Sequence, residues 1–164
     1  MEQRAEYKAD YKTEGESGRY NITKNHLINY RFYLATIERR RERLEEITMQ
    51  MEGIKGTDYS RDKVQNNQVE SIMEKLIGEK IKIEDEIRRL ERVTRDIDRG
   101  FAELDKMEQC IVELKWMHQE SRKMSWWRLA VVMEDKKHGN YSPETVKRWG
   151  RNALHKMAGV IYQD

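Results

Sequence analysis

The chain has little of two residues that shape many small proteins: one cysteine, Cys110, and one proline, Pro143, among 164 residues. A lone cysteine forms no disulfide within the chain, so a reducing cytoplasm is the expected compartment. With a single proline to interrupt them, long helices can form. No run of about 18 apolar residues occurs, and the N-terminus has no apolar stretch after its basic residues, so we expect neither a transmembrane helix nor a secretory signal.

Charged residues are abundant and nearly balanced in sign. Lys, Arg, Asp and Glu make up 38% of the chain, with 32 basic and 30 acidic side chains, against a usual quarter. Apolar residues still account for 37%, which is more than a disordered chain contains. This composition is typical of long amphipathic helices, and we expect an all-α fold.

The basic excess is confined to one part of the chain. Residues 136–158 contain six Lys or Arg and a single acidic residue, Glu144. A basic segment within an otherwise neutral protein indicates contact with nucleic acid. A solvated helix face has the same composition, so the charge alone leaves both interpretations open.

Two apolar ladders with the period of a helix occupy the middle of the chain. The first is Leu27, Tyr30, Leu34, Ile37, Arg41, Leu44, Thr48 and Met51. The second is Val69, Met73, Leu76, Lys80, Ile83, Ile87, Leu90, Thr94, Ile97, Phe101 and Leu104. Glycines and polar residues separate them, which predicts an antiparallel coiled-coil hairpin over residues 24–104 with a loop at about 53–63. The polar residues 1–23 are expected to form a mobile N-terminal arm.

The two ladders differ in length, which bears on oligomerisation. The second outruns the first and leaves Leu90 to Leu104 without a partner helix. An apolar stripe of this length must be covered, either by a second copy of the chain or by the C-terminal domain folding back. We expect a homo-oligomer through the coiled coil, with a dimer favoured.

The C-terminal segment, residues 105–164, reads as three short helices. The first covers Leu104 to Gln119, the second is SWWRLAVVMED with Ser125 as its cap, and the third begins at Ser142-Pro143, a favourable N-cap and first-turn pair. Residues expected to pack on the second helix are Trp127, Leu129, Ala130, Val132 and Met133. Those on the third are Val146, Trp149, Ala153, Leu154 and Met157.

A short helix, a loop and a capped helix with a basic outer face form the arrangement of a helix-turn-helix. The N-terminus of a helix attracts phosphate, and side chains further along can reach base edges in the major groove. We therefore expect the domain to bind double-stranded DNA. The predicted contact residues are Ser142, Glu144, Thr145, Lys147, Arg148, Arg151, Asn152, Lys136, Lys137 and Lys156.

The segment YSPETVKRWGRNALHKMAG is similar to the end of region 4 of bacterial sigma-70-type factors, where a serine-capped helix of the form S-x-x-x-V-x-x-x-x-x-x-A-L-x-K-L reads promoter DNA. The matching residues are Ser142, Val146, Ala153, Leu154 and Lys156, with Met157 in place of the last leucine. Combined with a long helical hairpin, this domain resembles phage-encoded late transcriptional regulators of the ArpU/RinA type. The resemblance implies an activator of phage or prophage late genes in the bacterial cytoplasm, with host RNA polymerase as a further partner.

The same resemblance implies roles for individual residues. Glu144, Lys147 and Arg148 occupy the first turn and a half of the reading helix, with Arg151 and Asn152 one turn deeper. Arg148 suits guanine and Glu144 suits cytosine, whereas Lys137, Lys147 and Lys156 suit phosphates. Three features depart from the pattern: the longer loop KKHGNY, the Trp126-Trp127 pair, and Gly150, which weakens the middle of a helix by up to about 1 kcal/mol.

Two other functions fit the same elements: a DNA-packaging subunit of the small-terminase type, and a coiled-coil scaffold that does not bind DNA. Enzymatic activity is not expected, since the chain has no glycine-rich phosphate loop and its carboxylate clusters lie among basic residues that can pair with them. The four histidines stand apart from one another, so neither a metal nor a cofactor is expected. Cys110 lies on an apolar stripe and is predicted to be a core thiol.

Overall fold

The computed structural model describes residues 16–55, 63–118, 124–135 and 140–162, and these residues form helices without any strand. The helices are α1 (Glu16–Lys55), α2 (Lys63–Ala102), α3 (Lys106–Val112), α4 (Trp126–Asp135) and α5 (Pro143–Ile161), and α3 continues into a π-helical turn at Glu113–Met117. The expected all-α fold is confirmed. No helix in the described part combines the length and the apolar character needed to cross a membrane.

Helix α1 begins earlier than the sequence indicated. Residues 16–23, predicted as the end of a polar arm, form its first turns, while residues 1–15 lie outside the described residues. Thr23 and Leu27 are four residues apart on one face and both fully buried. The Thr23 hydroxyl donates to the Arg19 carbonyl oxygen at 2.9 Å, which satisfies its polar group at a buried position.

The chain divides into two compact units whose boundary cuts through both long helices. One unit is Asn29–Asp98, and the other combines Met1–Ile28 with Arg99–Asp164. The first turns of α1 therefore belong with the C-terminal helices, whereas the sequence predicted a separate domain of residues 105–164. The boundary at residue 28 lies inside a continuous helix, so neither a loop nor a change of composition marks it in the sequence.

In the 29–98 unit, α2 buries the stripe that the sequence predicted. Its buried residues are Leu76, Ile83, Ile87, Leu90, Thr94 and Ile97. On α1 the stripe differs: Tyr33 and Ile47 are buried, while their neighbours Leu34 and Thr48 are exposed. A spacing of three or four residues fits either member of such an adjacent pair, so periodicity alone does not choose between them.

Polar contacts join the first half of α1 to the end of α2, and residues further along α1 to earlier parts of α2. They are Tyr30 with Asp98 at 2.6 Å, Arg41 with Glu91 at 2.7 Å, Arg40 with Glu86 at 2.8 Å and Arg43 with Glu79 at 2.9 Å. Both helices are 40 residues long, and Leu90 and Ile97 are buried within the single chain. The prediction that the second helix outruns the first and leaves Leu90 to Leu104 uncovered is therefore wrong. The homo-oligomer that rests on it stays a prediction.

Candidate nucleic-acid interface

The start of α5 agrees with the sequence prediction. The Ser142 side chain accepts a hydrogen bond from the Thr145 backbone N–H at 3.2 Å, and the two hydroxyl oxygens lie 2.9 Å apart. Pro143 occupies the first turn, where its missing N–H costs nothing. Two of the predicted DNA contacts, Ser142 and Thr145, thus also fix the beginning of the helix.

The inner face of α5 carries the core of this unit. Its buried residues are Val146, Gly150, Ala153, Leu154, Met157 and Ala158. Trp149, predicted to lie in this stripe, is only half-buried and packs edge-on against Tyr141, with ring centroids 4.7 Å apart. It covers the rim of the core.

Gly150 permits the closest approach in this core. A Cβ atom at this position would lie 2.8 Å from Cη2 of Trp126 and 3.1 Å from Cγ2 of Ile111. Separations this short are below ordinary van der Waals contact, so any side chain would push α5 away from these two neighbours. The sequence suggested that Gly150 is a weak point of the helix, and the structure shows that it is required for close packing.

Adjacent tryptophans on α4 have opposite environments. Trp126 packs edge-on against Trp116 with centroids 5.9 Å apart, whereas Trp127 is 67% exposed. Successive residues on a helix point about 100° apart, so only one of the pair can face the core. The prediction that Trp127 packs is wrong, and the prediction for Leu129, Ala130 and Met133 is confirmed by their burial.

Lys115 secures the start of α4 from the preceding π-helical turn. Its ammonium donates to the Met124 carbonyl oxygen and lies 4.8 Å from the centroid of the Trp126 ring, a cation–π contact. Burial, reinforced by the nearby charge of Lys24, lowers the pKa of Lys115. The Ser125 hydroxyl accepts from the Arg128 backbone N–H at 3.2 Å, which confirms Ser125 as the cap of α4.

The connection between α4 and α5 is described only in part. Lys136 and Lys137, two of the predicted DNA contacts, lie outside the described residues. At the end of this connection, Asn140 donates from its side-chain amide to Glu134 Oε1 at 3.1 Å. This bond ties the residues before α5 back to the last turn of α4.

The outer face of α5 brings most of the predicted DNA contacts together. Glu144, Arg148, Arg151 and Asn152 are all exposed, and their spacing of three to four residues places them along one side of the helix. Lys147 is half-buried at the edge of this face, with its ammonium 3.9 Å from Glu144 Oε2. The accessible strip is therefore centred on Arg148 and Asn152.

Lys156 has a protein partner that the sequence did not reveal. Its ammonium binds the carboxylate of Glu108, which is buried at the start of α3. Glu108 also closes the N-terminal cap of α3: its side chain accepts from the Asp105 N–H at 3.1 Å, and Asp105 Oδ1 accepts from the Glu108 N–H at 2.8 Å. The hydrogen bond to Glu108 raises the pKa of Lys156. The structure thus gives Lys156 a role in packing α5 on α3, where the sequence predicted a phosphate contact.

The first turns of α1 border the C-terminal half of α5. Tyr20 and His155 have ring centroids 4.9 Å apart, and Arg19 lies 6.0 Å from the centroid of the Tyr162 ring. Burial raises the pKa of Tyr20, and the nearby charge of Arg151 opposes that shift. Sequence reasoning missed these neighbours, because nothing local to residues 16–23 indicates a partner more than 100 residues later.

Among the described residues, the remaining reactive side chains form no recognisable centre. Cys110 is half-buried, so its assignment to the core is wrong: on this short helix Ile111 and Val112 take the fully buried positions. Within the described ranges, no three His, Cys, Asp or Glu side chains are grouped so that they could hold a metal ion.

Comparison of the chain with protein-family models, with curated proteins and with solved structures finds no match. Any function assigned to this site therefore depends on its own residues and on the sequence pattern of α5.

Proposed function

We propose that this chain is a sequence-specific DNA-binding protein that regulates transcription, with α4 and α5 as a helix-turn-helix and α5 as the helix that enters the major groove. The proposal rests on the difference between the two faces of α5, one packed in the core and the other exposed. Its inner face is held through Gly150 against Trp126 and Ile111. Its outer face exposes Arg148 and Asn152, and neither side chain has a hydrogen bond or ion pair with another described residue.

Arg148 and Asn152 have complementary chemistry for base recognition. A guanidinium can donate two parallel hydrogen bonds to O6 and N7 of guanine, and a side-chain amide can pair with N6 and N7 of adenine. The two residues are one helical turn apart, about 6 Å along the axis, so they can address neighbouring base pairs. Glu144 lies in the first turn of α5, and its carboxylate has the chemistry to accept from N4 of cytosine.

A positively charged side chain beside this strip would hold the DNA backbone. Lys147, at the edge of the reading face, is a flexible point charge suited to phosphates. Lys136 and Lys137, predicted as DNA contacts from the sequence, lie outside the described residues. The N-terminus of α5 adds its dipole and its unpaired N–H groups. Lys156 is left out of this set, because its charge is engaged by the buried Glu108 carboxylate.

The finer biological role follows from the resemblance to ArpU/RinA-type regulators. In that role the protein activates late genes of a phage or prophage. The 29–98 unit is a coiled-coil hairpin that offers a surface to RNA polymerase. The hairpin supports this role by presenting two long charged helices whose apolar stripes are already packed together.

Replacement of Arg148 by alanine tests the assignment of the reading helix. With a DNA site selected by the full chain, Arg148→Ala should weaken binding by about 1–3 kcal/mol and relax the preference at one or two base pairs. Arg89→Ala is the matched control, since Arg89 is an exposed arginine on α2 without an ion-pair partner among the described residues. It should leave both affinity and sequence preference unchanged.

The salt dependence of binding separates the proposal from a coiled-coil scaffold that does not bind DNA, and the absence of a ring of many copies by mass measurement separates it from a DNA-packaging subunit. Each phosphate contact adds about 0.9 to the slope of log affinity against log salt, so Lys147→Ala should reduce that slope by about one contact on every sequence. A coiled-coil scaffold that only exposes this face would show no measurable DNA affinity. Equal losses for Arg148→Ala and Arg89→Ala would show that α5 is not the reader.

A further inference from the structure

One edge of the 29–98 unit exposes large apolar side chains beside a groove between the two helices. Two adjoining stretches of groove share Leu44 and Glu84; one also includes Arg41, Ile87 and Arg88, and the other includes Glu45, Thr48, Met49, Glu52 and Lys80. Met49 is 69% exposed and Ile81 is 52% exposed. Ile77 and Ile81 precede Glu84 and Arg88 at helical spacing, so they extend the same side of α2.

At the opposite edge of this unit, ion pairs join α1 to α2. Arg40 pairs with Glu86 at 2.8 Å and Arg43 with Glu79 at 2.9 Å, and these pairs lie across the seam between α1 and α2. Along the groove edge, the pair that joins the two helices is Arg41 with Glu91, which lies at one end. Among the described residues, no ion pair between the two helices crosses this edge of the seam from Leu44 to Glu52.

The charges along the groove edge are partly separated by sign. Arg41 and Arg88 lie at one end and Glu45 and Glu52 toward the other, while Glu84 and Lys80, 4.0 Å apart, lie between them. Neither Glu45 nor Glu52 has an ion-pair partner among the described residues, and Arg88 pairs only with Asp85 on its own helix, where both side chains are well exposed. From Arg41 to Glu52 the edge extends about 16 Å along α1.

We propose that this edge binds the same edge of a second copy of the chain, related by a two-fold axis near Ile81 and Met49. An antiparallel two-fold arrangement places the basic end of one copy against the acidic end of the other. Arg88 then faces the second copy's Glu52, Lys80 faces its Glu45, and Met49 and Ile81 pack around the axis. The interface completes a four-helix arrangement and does not depend on DNA binding.

This surface differs from the one that the sequence suggested. The apolar residues Leu90, Ile97 and Leu104 are buried within the single chain, so this stripe is closed to a second copy. The proposed edge lies in the half of each long helix that is nearer the connection between them. A pair of chains joined here would carry two copies of α5, as proteins that read two-fold symmetric DNA sites do.

Sedimentation of the full chain tests the surface directly. The parent should form dimers at tens of micromolar, and Ile81→Glu should weaken them about a hundredfold, because it places two carboxylates at the axis. Ile72→Glu is the matched control. Ile72 is on the same helix and 47% exposed, close to the 52% of Ile81, but it lies away from the side of α2 formed by residues 77, 81, 84 and 88. The Ile72→Glu variant should dimerise as the parent does, and far-ultraviolet circular dichroism should report equal helicity for both variants.

Charge reversal tests the two-fold arrangement. Arg88→Glu and Glu52→Arg should each weaken the dimer about tenfold, and the double variant should recover most of the parent affinity, because two exposed pairs of about 0.5–1 kcal/mol are lost and then restored. A parent that remains monomeric, a ring of many copies, a control that dissociates as readily as Ile81→Glu, or a double variant weaker than either single one would each overturn the proposal. Loss of DNA binding without loss of the dimer would overturn only the function proposed above.

Discussion

The two units of this protein are built from the same kind of helix but held together differently. The 29–98 unit has a narrow apolar seam, with ion pairs such as Arg40–Glu86 across its edge. The C-terminal unit packs side chains from several elements around one cluster, which includes Ile111, Leu129 and Val146. Exposed ion pairs contribute about 0–1 kcal/mol each to the free energy of unfolding, whereas a buried aromatic side chain contributes several kcal/mol. Single substitutions should therefore be more damaging in the C-terminal unit.

The largest effect is expected at Trp126. Its half-buried ring packs against Trp116 and over Gly150, so Trp126→Ala should destabilise the unit by about 3–4 kcal/mol, toward the lower end for a Trp→Ala change in a core. Trp127→Ala, one residue later at a side chain 67% exposed, should change stability by less than about 0.5 kcal/mol. Chemical denaturation followed by circular dichroism measures both, and similar losses would mean that the two environments are assigned wrongly.

Leu27 tests whether the start of α1 belongs to the C-terminal unit. It is fully buried, and Leu27→Ala should cost about 2–5 kcal/mol. All four tryptophans lie between residues 116 and 149, so their fluorescence reports on the C-terminal unit alone. Leu27→Ala should lower the fluorescence-detected midpoint, while Ile37→Ala in the other unit should act mainly on the helical signal. An unchanged fluorescence midpoint for Leu27→Ala would separate α1 from that unit.

Substitution of Gly150 sets two opposed effects on stability against each other: the gain in helix propensity and the loss of close packing. Gly150→Ala gains up to about 1 kcal/mol of propensity but forces apart contacts of 2.8 and 3.1 Å, for a net loss of about 1–2 kcal/mol. Gly159→Ala, with nothing within 4 Å of the added atom, should stabilise the same helix by up to about 1 kcal/mol. Thermal unfolding gives the sign of each change, and stabilisation by both would show that α5 is not held this closely.

Tyr30 offers the smallest and most specific test, in the 29–98 unit. Its hydroxyl donates to Asp98 Oδ1 at 2.6 Å. Burial, and then this carboxylate, raise the pKa of Tyr30 from 10.0 to about 12. Because the folded state holds the proton more tightly than the unfolded state, this contribution is complete below pH 10 and is lost as the pH rises toward 12.

Tyr30→Phe should therefore cost about 0.5–1.5 kcal/mol at neutral pH. The difference in unfolding free energy between parent and variant should shrink in alkaline solution. Ultraviolet absorbance should also show one tyrosine fewer titrating at the alkaline end. A difference that is constant from neutral to alkaline pH would contradict the assigned hydrogen bond.

The sequence predicted those features of the fold that repeat locally. The stripe of α2 and the caps at Ser125 and Ser142 follow from spacing and from residue type, and the structure reproduces them. On α1 the same spacing gave Leu34 in place of Tyr33, because one turn of a helix accommodates either neighbour.

Contacts between distant residues could not be predicted. The ion pair of Lys156 with Glu108 and the packing of Tyr20 beside His155 join residues 48 and 135 positions apart. The sequence predicts that Gly150 destabilises the domain, because the sequence of a single helix shows the poor helix propensity of glycine but not the tryptophan packed over it. At the candidate site, sequence indicated which residues are basic, and the structure showed which of them are accessible.

Selection of bound DNA from a random pool, with the parent and Arg148→Ala compared side by side, tests the central claim most directly. The account predicts that the parent enriches a defined sequence containing a guanine, and that the variant enriches the same sequence with that one position, or two adjacent ones, relaxed. If the parent enriches no sequence, or if both proteins enrich an identical one, α5 is not a DNA-reading helix.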